Sequence, residues 1–111
     1  MVQYTPHLDS AFAALSDPTR RGILEHLGRG DASISDLASR FDMTLTGMKK
    51  HVGVLEQSGL VKTEKVGRVR TCRLGHRRLD QETAWIAKYQ QMVEARFNRL
   101  EAYLERTKGT Q

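Results

Sequence analysis

Apolar residues recur at helical spacing through the first half of the chain. In residues 8–15, LDSAFAAL, Leu8, Phe12 and Leu15 fall at i, i+4 and i+7, which predicts an amphipathic helix. Ser16-Asp17-Pro18 interrupts it. Aspartate suits an N-cap, and proline suits a first helical position because its missing N–H is not needed there. A second helix is therefore predicted over 18–28, burying Ile23, Leu24 and Leu27 and stopping at Gly28 or Gly30. Arg20 and Arg21 fall in its first turn, where the helix dipole disfavours cations. They read as a solvated face, a pairing with nearby acids, or a phosphate contact. Ser33-Ile34-Ser35-Asp36 is a loose capping box opening a third helix, with Ile34, Leu37, Ala38 and Phe41 on its inner face. Asp42 and Met43 end that helix, and Thr44 can cap a fourth over 44–57. Two short helices joined by about three residues, spanning 33–58, form a helix-turn-helix pattern, here without a glycine in the turn.

After Gly59 the period changes to two. LVKTEK and RVRTCRL flank Val66-Gly67 and predict a hairpin over 60–74. Glycine second in the turn suits type II, since type I′ would force a β-branched valine to positive φ. That turn sets Lys65 opposite Arg68, and like charges across strands destabilise unless an anion relieves them. Residues 79–106 contain no glycine or proline and predict one long helix. Ile86, Tyr89, Val93, Phe97, Leu100 and Leu104 recur every three or four residues, and Trp85, Met92 and Tyr103 broaden the stripe. A small domain cannot cover a stripe of this length. A second copy is expected to do so, with the first helix (Leu8, Phe12) and the last (Ile86, Tyr89, Val93, Phe97, Leu100) forming a homodimer interface. The tail, TKGTQ, is expected to fray. The expected architecture is mainly α with a β-hairpin wing: four helices, the hairpin and a fifth, long helix in one domain.

Composition narrows the function. A chain of 111 residues with a single cysteine, Cys72, has no intramolecular disulfide and fits a reducing, cytoplasmic setting. No apolar run is long enough to span a membrane, and the N-terminal MVQYTPHLDS lacks the pattern of a secretory leader. The net charge is +5, yet residues 44–78 alone hold nine bases (Lys49, Lys50, Lys62, Lys65, Arg68, Arg70, Arg73, Arg77, Arg78) against two acids, Glu56 and Glu64. A basic surplus confined to one helix and one hairpin is the footprint expected for a polyanion partner, here double-stranded DNA.

The fourth helix supports that reading as a surface. With residues spaced at about 100°, Leu45, Met48, Val52 and Leu55 share the inward face, while Thr46, Lys50, Gly53 and Gln57 lie opposite. Lys49 and Gly47 flank the outer face, and His51 borders the core, where it serves either packing or a phosphate. Small residues permit close approach, cations meet phosphates, and hydroxyl and amide groups read base edges. Lys65, Arg68 and Arg70 on the hairpin would reach the flanking minor groove or backbone. The expected DNA-binding set is thus Thr44, Leu45, Thr46, Gly47, Lys49, Lys50, His51, Lys65, Arg68 and Arg70.

LSDPTRRGIL (15–24), ISDLASRF (34–41), MTLTGMKKHVGVLEQSGLV (43–61) and KVGRVRTCRL (65–74), in that order and spacing, resemble the ArsR-type bacterial transcriptional regulators over about residues 8–106. The resemblance implies a homodimeric winged helix-turn-helix repressor on an inverted-repeat promoter site, released when an effector alters the dimer. Lys49 stands where the family often has serine, and Gly53 where it often has lysine. In metal sensors of this kind two cysteines occupy the positions held here by Ser33 and Ser35, and no histidine follows His76. Serine does not replace a thiolate towards soft metals, so neither a metal nor another cofactor is expected. The effector is not legible in the residues. Two alternatives stand beside this reading: a sequence-tolerant architectural DNA binder, and a metal or redox sensor with a non-standard site at Cys72 and His76. A catalytic constellation is absent, as are a phosphate-binding loop and a metalloprotease motif, so no enzyme is expected.

Overall fold

Helix caps set the boundaries. The structure, a computed structural model, describes residues 6–108, so the tail's last residues, 109–111, and the first five of the N-terminal segment lie outside the described residues. Helix α1 spans Pro6–Leu15 and α2 spans Pro18–Leu27. Between them Asp17 accepts the backbone N–H of Arg20 at 3.0 Å, with Pro18 in the first turn. This hydrogen bond, chiefly, holds the Asp17 carboxyl below its usual range. Gly28 is the C-cap of α2 but keeps right-handed backbone, φ −63°, so the helix ends without the left-handed turn glycine commonly provides. Leu24 is half-buried rather than buried, whereas Ile23 and Leu27 enter the core.

Arg20, whose charge helps hold down the Asp17 carboxyl, and the exposed Arg21 both reach back to backbone carbonyls. Arg20 donates from Nε to the carbonyl of Ala14 (2.8 Å) and from Nη2 to that of Ala13 (3.0 Å), and Arg21 donates to Leu15 (2.7 Å). Both guanidinium groups therefore cap the orphan carbonyls at the end of α1, where the helix dipole favours cations. The unfavourable place in their own helix is a favourable one in the neighbouring helix.

Helix α3 (Ile34–Arg40) begins at Ser33, whose hydroxyl accepts the N–H of Asp36 at 3.0 Å. It ends in a Schellman motif. Asp42 takes left-handed backbone (φ 52°), Met43 N–H reaches the carbonyl of Ala38 (2.8 Å), and Asp42 N–H reaches that of Ser39 (3.2 Å). Aspartate tolerates this conformation better than most side chains, which is how the helix-turn-helix turn manages without glycine. Helix α4 (Leu45–Gln57) starts at Thr44, which accepts Gly47 N–H at 3.1 Å, and closes in a second Schellman motif at Gly59 (φ 80°).

Two features of the sheet depart from the sequence reading. Before β2 (Val61–Val66) and β3 (Val69–Leu74) comes a two-residue strand, β1 (Ala32–Ser33), so that the sheet is three-stranded with order β1-β3-β2, all antiparallel. Two residues are too few for alternation to register in the sequence. The hairpin turn is also displaced by one residue: Val66 pairs with Val69 and Lys65 with Arg70, not with Arg68. The turn residues are thus Gly67 and Arg68, and Gly67 alone has positive φ, 63°. Glycine first is the type II′ arrangement, which matches strand twist where type II would splay the strands. The like-charged pair persists with a different partner.

The core of the first unit, which ends at Arg78, gathers Ala11, Ala14, Ile23, Leu27, Ile34, Leu37, Met48, Val52, Leu55, Leu60, Val61 and Cys72. The second unit is the helix α5 (Asp80–Lys108). Along it Ile86, Tyr89, Phe97, Leu100 and Leu104 are exposed, Phe97 by 62%, and Val93 is half-buried. Trp85 and Tyr89, one turn apart, stack with centroids 5.9 Å apart and planes 7° from parallel. On α1, Leu8 and Phe12 are half-buried. Among the described residues no helix is long and apolar enough to cross a membrane.

Candidate nucleic-acid interface

Helix α4 is anchored from beneath by Met48, Val52 and Leu55, each at most 2% exposed. That leaves Thr46, Lys49, Lys50 and Gln57 exposed. Leu45 is a correction: it was expected inward, but it is 45% exposed. As the first residue of the helix it lies beyond the body that the later turns rest on, and its side chain lines a cleft instead. The two glycines differ. A methyl group at Gly47 would stand 3.2 Å from the Thr44 hydroxyl, whereas one at Gly53 would meet nothing within 4 Å. Gly47 protects the cap. At Gly53 no such neighbour requires the missing side chain.

The wing completes the cleft. Positions 61, 63 and 65 of β2 share a face with 70, 72 and 74 of β3, because these residues pair in register. Lys65 and Arg70 thereby face α4, with Arg68 in the turn. Lys49, Lys65, Arg68 and Arg70 line one cleft of about 410 Å³, together with Leu45, Val69, Ser33 and Ser35. Four cations without a carboxylate among them repel one another, and the repulsion is relieved by a polyanion. A smaller adjoining notch is lined by Lys49, Gly53, Glu56, Thr63 and Arg70.

The expected contacts therefore fall in three places. Leu45, Lys49, Lys65, Arg68 and Arg70 converge on the cleft. Thr46 and Lys50 lie exposed on the helix, while Thr44 accepts the Gly47 N–H and Gly47 is half-buried beside it. His51 belongs elsewhere. Its Nδ1 lies 3.3 Å from Arg20 and 3.9 Å from Asp17, so that edge of the ring faces α2 rather than the cleft. Of its two sequence readings, packing describes this edge. The sequence reading missed Ser33, Ser35 and Val69 as cleft residues, because only the chain crossing from β1 into α3 brings the serines beside the wing.

The positions relevant to metal or redox chemistry are structural. Ser33 is the α3 cap. Cys72 is fully buried, paired with both Ala32 and Thr63, and its thiol is pushed up to about 11, mainly by burial and then by the Glu56 charge. A neutral thiol is a poor ligand and a poor nucleophile. Among the described residues no three of His, Cys, Asp and Glu group so as to hold a metal ion.

Residues 15–64 match the helix-turn-helix domain family. The transcriptional repressor SdpR of Bacillus subtilis is 33% identical over 60 residues, 54% of this chain and 67% of the relative. Among solved structures, an ArsR family transcriptional regulator is 46% identical with a TM-score of 0.75, covering 85% of this chain and 97% of that one. An ArsR-like transcriptional regulator from Rhodococcus sp. RHA1 is 36% identical with a TM-score of 0.63, covering 95% of this chain and 93% of its own. With its three-stranded wing and its cationic cleft beside α4, the chain belongs to the ArsR family of winged helix-turn-helix, DNA-binding transcriptional regulators.

Proposed function

We propose that this regulator is a homodimeric repressor of an inverted-repeat operator, with α4 in the major groove and the wing on the flanking DNA. The cleft carries the reading: it joins Leu45 and Lys49, at the edge of the outer face of α4, to Lys65, Arg68 and Arg70, so one duplex can meet both. Lys49 and Lys50 supply charge, Thr46 and Gln57 supply donors and acceptors, and Gly53 allows close approach. The exposed apolar face of α5 supports a second copy as its cover, which would set two recognition helices on two half-sites about one DNA turn apart. That the similar SdpR is named a repressor supports repression as the sign of the effect. The buried, neutral Cys72 argues against a thiolate sensor.

Polarisation titrations of the protein's own promoter duplex against a random duplex at matched salt test this reading. Promoter affinity at least about a thousandfold higher is expected. Equal affinities would instead identify an architectural binder, and a monomer at micromolar concentration by light scattering would remove the role given to α5.

A further inference from the structure

Only two acids stand among the nine bases of residues 44–78, and each is engaged with the wing. Glu64 pairs with Arg73 at 2.8 Å, on the sheet face that carries positions 62, 64, 71 and 73. Glu56 is the more unexpected of the two. It is exposed on the recognition helix seven residues after Lys49, hence on the same side, and it lines the notch beside the cationic cleft. A carboxylate there repels approaching phosphates, so as a bystander it would only weaken binding.

Its oxygen, however, is occupied. Glu56 Oε2 accepts from the Thr63 hydroxyl at 2.7 Å and from the Thr63 N–H at 3.2 Å. The same Thr63 hydroxyl accepts from Arg70 Nη1 at 2.9 Å. The chain of donors thus runs from Arg70 on β3, through Thr63 on β2, to Glu56 on α4. It crosses the corner that the Gly59 turn makes between α4 and β2, and it starts at Arg70, which lines the cleft with Lys49, Lys65 and Arg68. A hydrogen bond to a charged acceptor is stronger than a neutral one, and a hydroxyl that donates to a carboxylate becomes a better acceptor for the arginine behind it.

We propose that Glu56 is a positioning residue for DNA binding: through the Thr63 hydroxyl it sets the wing against the recognition helix and aims Arg70 into the cleft. The proposal rests on the DNA-binding reading of that cleft. It makes a prediction of sign. Removing this carboxylate from a DNA-facing side should tighten binding if it is a bystander, and should loosen binding if its acceptor oxygen holds a phosphate-binding arginine in place.

The experiment is a polarisation titration of the full-length protein with its promoter duplex across a salt series, comparing wild type, Glu56→Ala, Glu56→Gln and Thr63→Val. Glu56→Ala and Thr63→Val are expected to weaken binding by about three- to tenfold and to reduce the salt slope by about one, as for one lost phosphate contact. Glu56→Gln keeps an acceptor for Thr63 and is expected to stay within about twofold of wild type. Thr63→Val is close to isosteric and keeps the test decisive should Glu56→Ala unfold, which thermal melting reports. Binding by Glu56→Ala as tight as wild type or tighter would overturn the proposal, as would an equal loss in Glu56→Gln. A wild type that binds no duplex would overturn the DNA reading and this proposal with it.

Discussion

Replacing Gly53 with alanine separates the two roles of the recognition helix. Glycine in a helix interior is less favourable than alanine by roughly 0.8–1.0 kcal/mol, and Gly53 lies well inside the 13-residue α4. The added methyl would meet no atom within 4 Å, so no clash offsets the gain. Gly53→Ala should therefore stabilise the fold by about 0.5–1 kcal/mol, raising Tm by about 3–6 °C for a chain of this size. The same methyl occupies the outward face between Lys49 and Lys50 on one side and Gln57 on the other, where the proposed docking brings the DNA surface. Crowding of a close-fitting contact costs about 1–2 kcal/mol, which corresponds to roughly a five- to thirtyfold loss of operator affinity. Urea denaturation and polarisation titration on the same preparations measure the two effects independently. A Gly53→Ala variant that is more stable and binds its operator unchanged would show that the open face is not the one that meets DNA. A less stable variant would show instead that the space at Gly53 is filled by something the monomer fold does not contain.

Other consequences concern the scaffold. The Cys72 thiol is raised to about 11 by burial, so in alkali the unfolded chain loses its thiol proton first; this stabilising contribution is intact below the ordinary cysteine value and is lost as pH rises from about 9 towards 11. Unfolding free energy should fall there by up to about 1.4 kcal/mol per pH unit more steeply than in Cys72→Ala, and a thiol reagent should label the native protein only through unfolding. Gly75→Ala should be severely destabilising, by about 2 kcal/mol or more, because its methyl would overlap the Gly59 carbonyl oxygen at the corner closed by Gly75 N–H to Leu60 (2.9 Å); chemical denaturation measures it. Thr44→Ala removes the α4 cap and should cost about 1 kcal/mol in the same assay, with operator affinity reduced as the first turn of the helix frays.

The sequence by itself determined whatever depends on neighbours within a few residues. Asp17, Ser33 and Thr44 are caps because a short oxygen-bearing side chain before a helix reaches the N–H three residues on, whatever the rest of the chain does. Met48, Val52 and Leu55 are buried because helical spacing puts them on one side, and the basic surplus of residues 44–78 was visible in their order alone. The order and spacing of the motifs also carried the family. What only the tertiary structure decided depends on groups brought together from afar. The one-residue displacement of the wing turn follows from the twist that both strands must share, and it transfers the partner of Lys65 from Arg68 to Arg70. Arg20 and Arg21, misplaced by the dipole of their own helix, are placed by the carbonyl ends of another. Ser33 reaches the wing because β1 pairs with β3 nearly forty residues later, and Glu56, an ordinary acid in the sequence, meets Arg70 only through a threonine on a third element. Local chemistry determines which surface each element can offer. The free energy of packing decides which surfaces meet, because that free energy is a property of pairs of elements and is written in no single stretch of the chain.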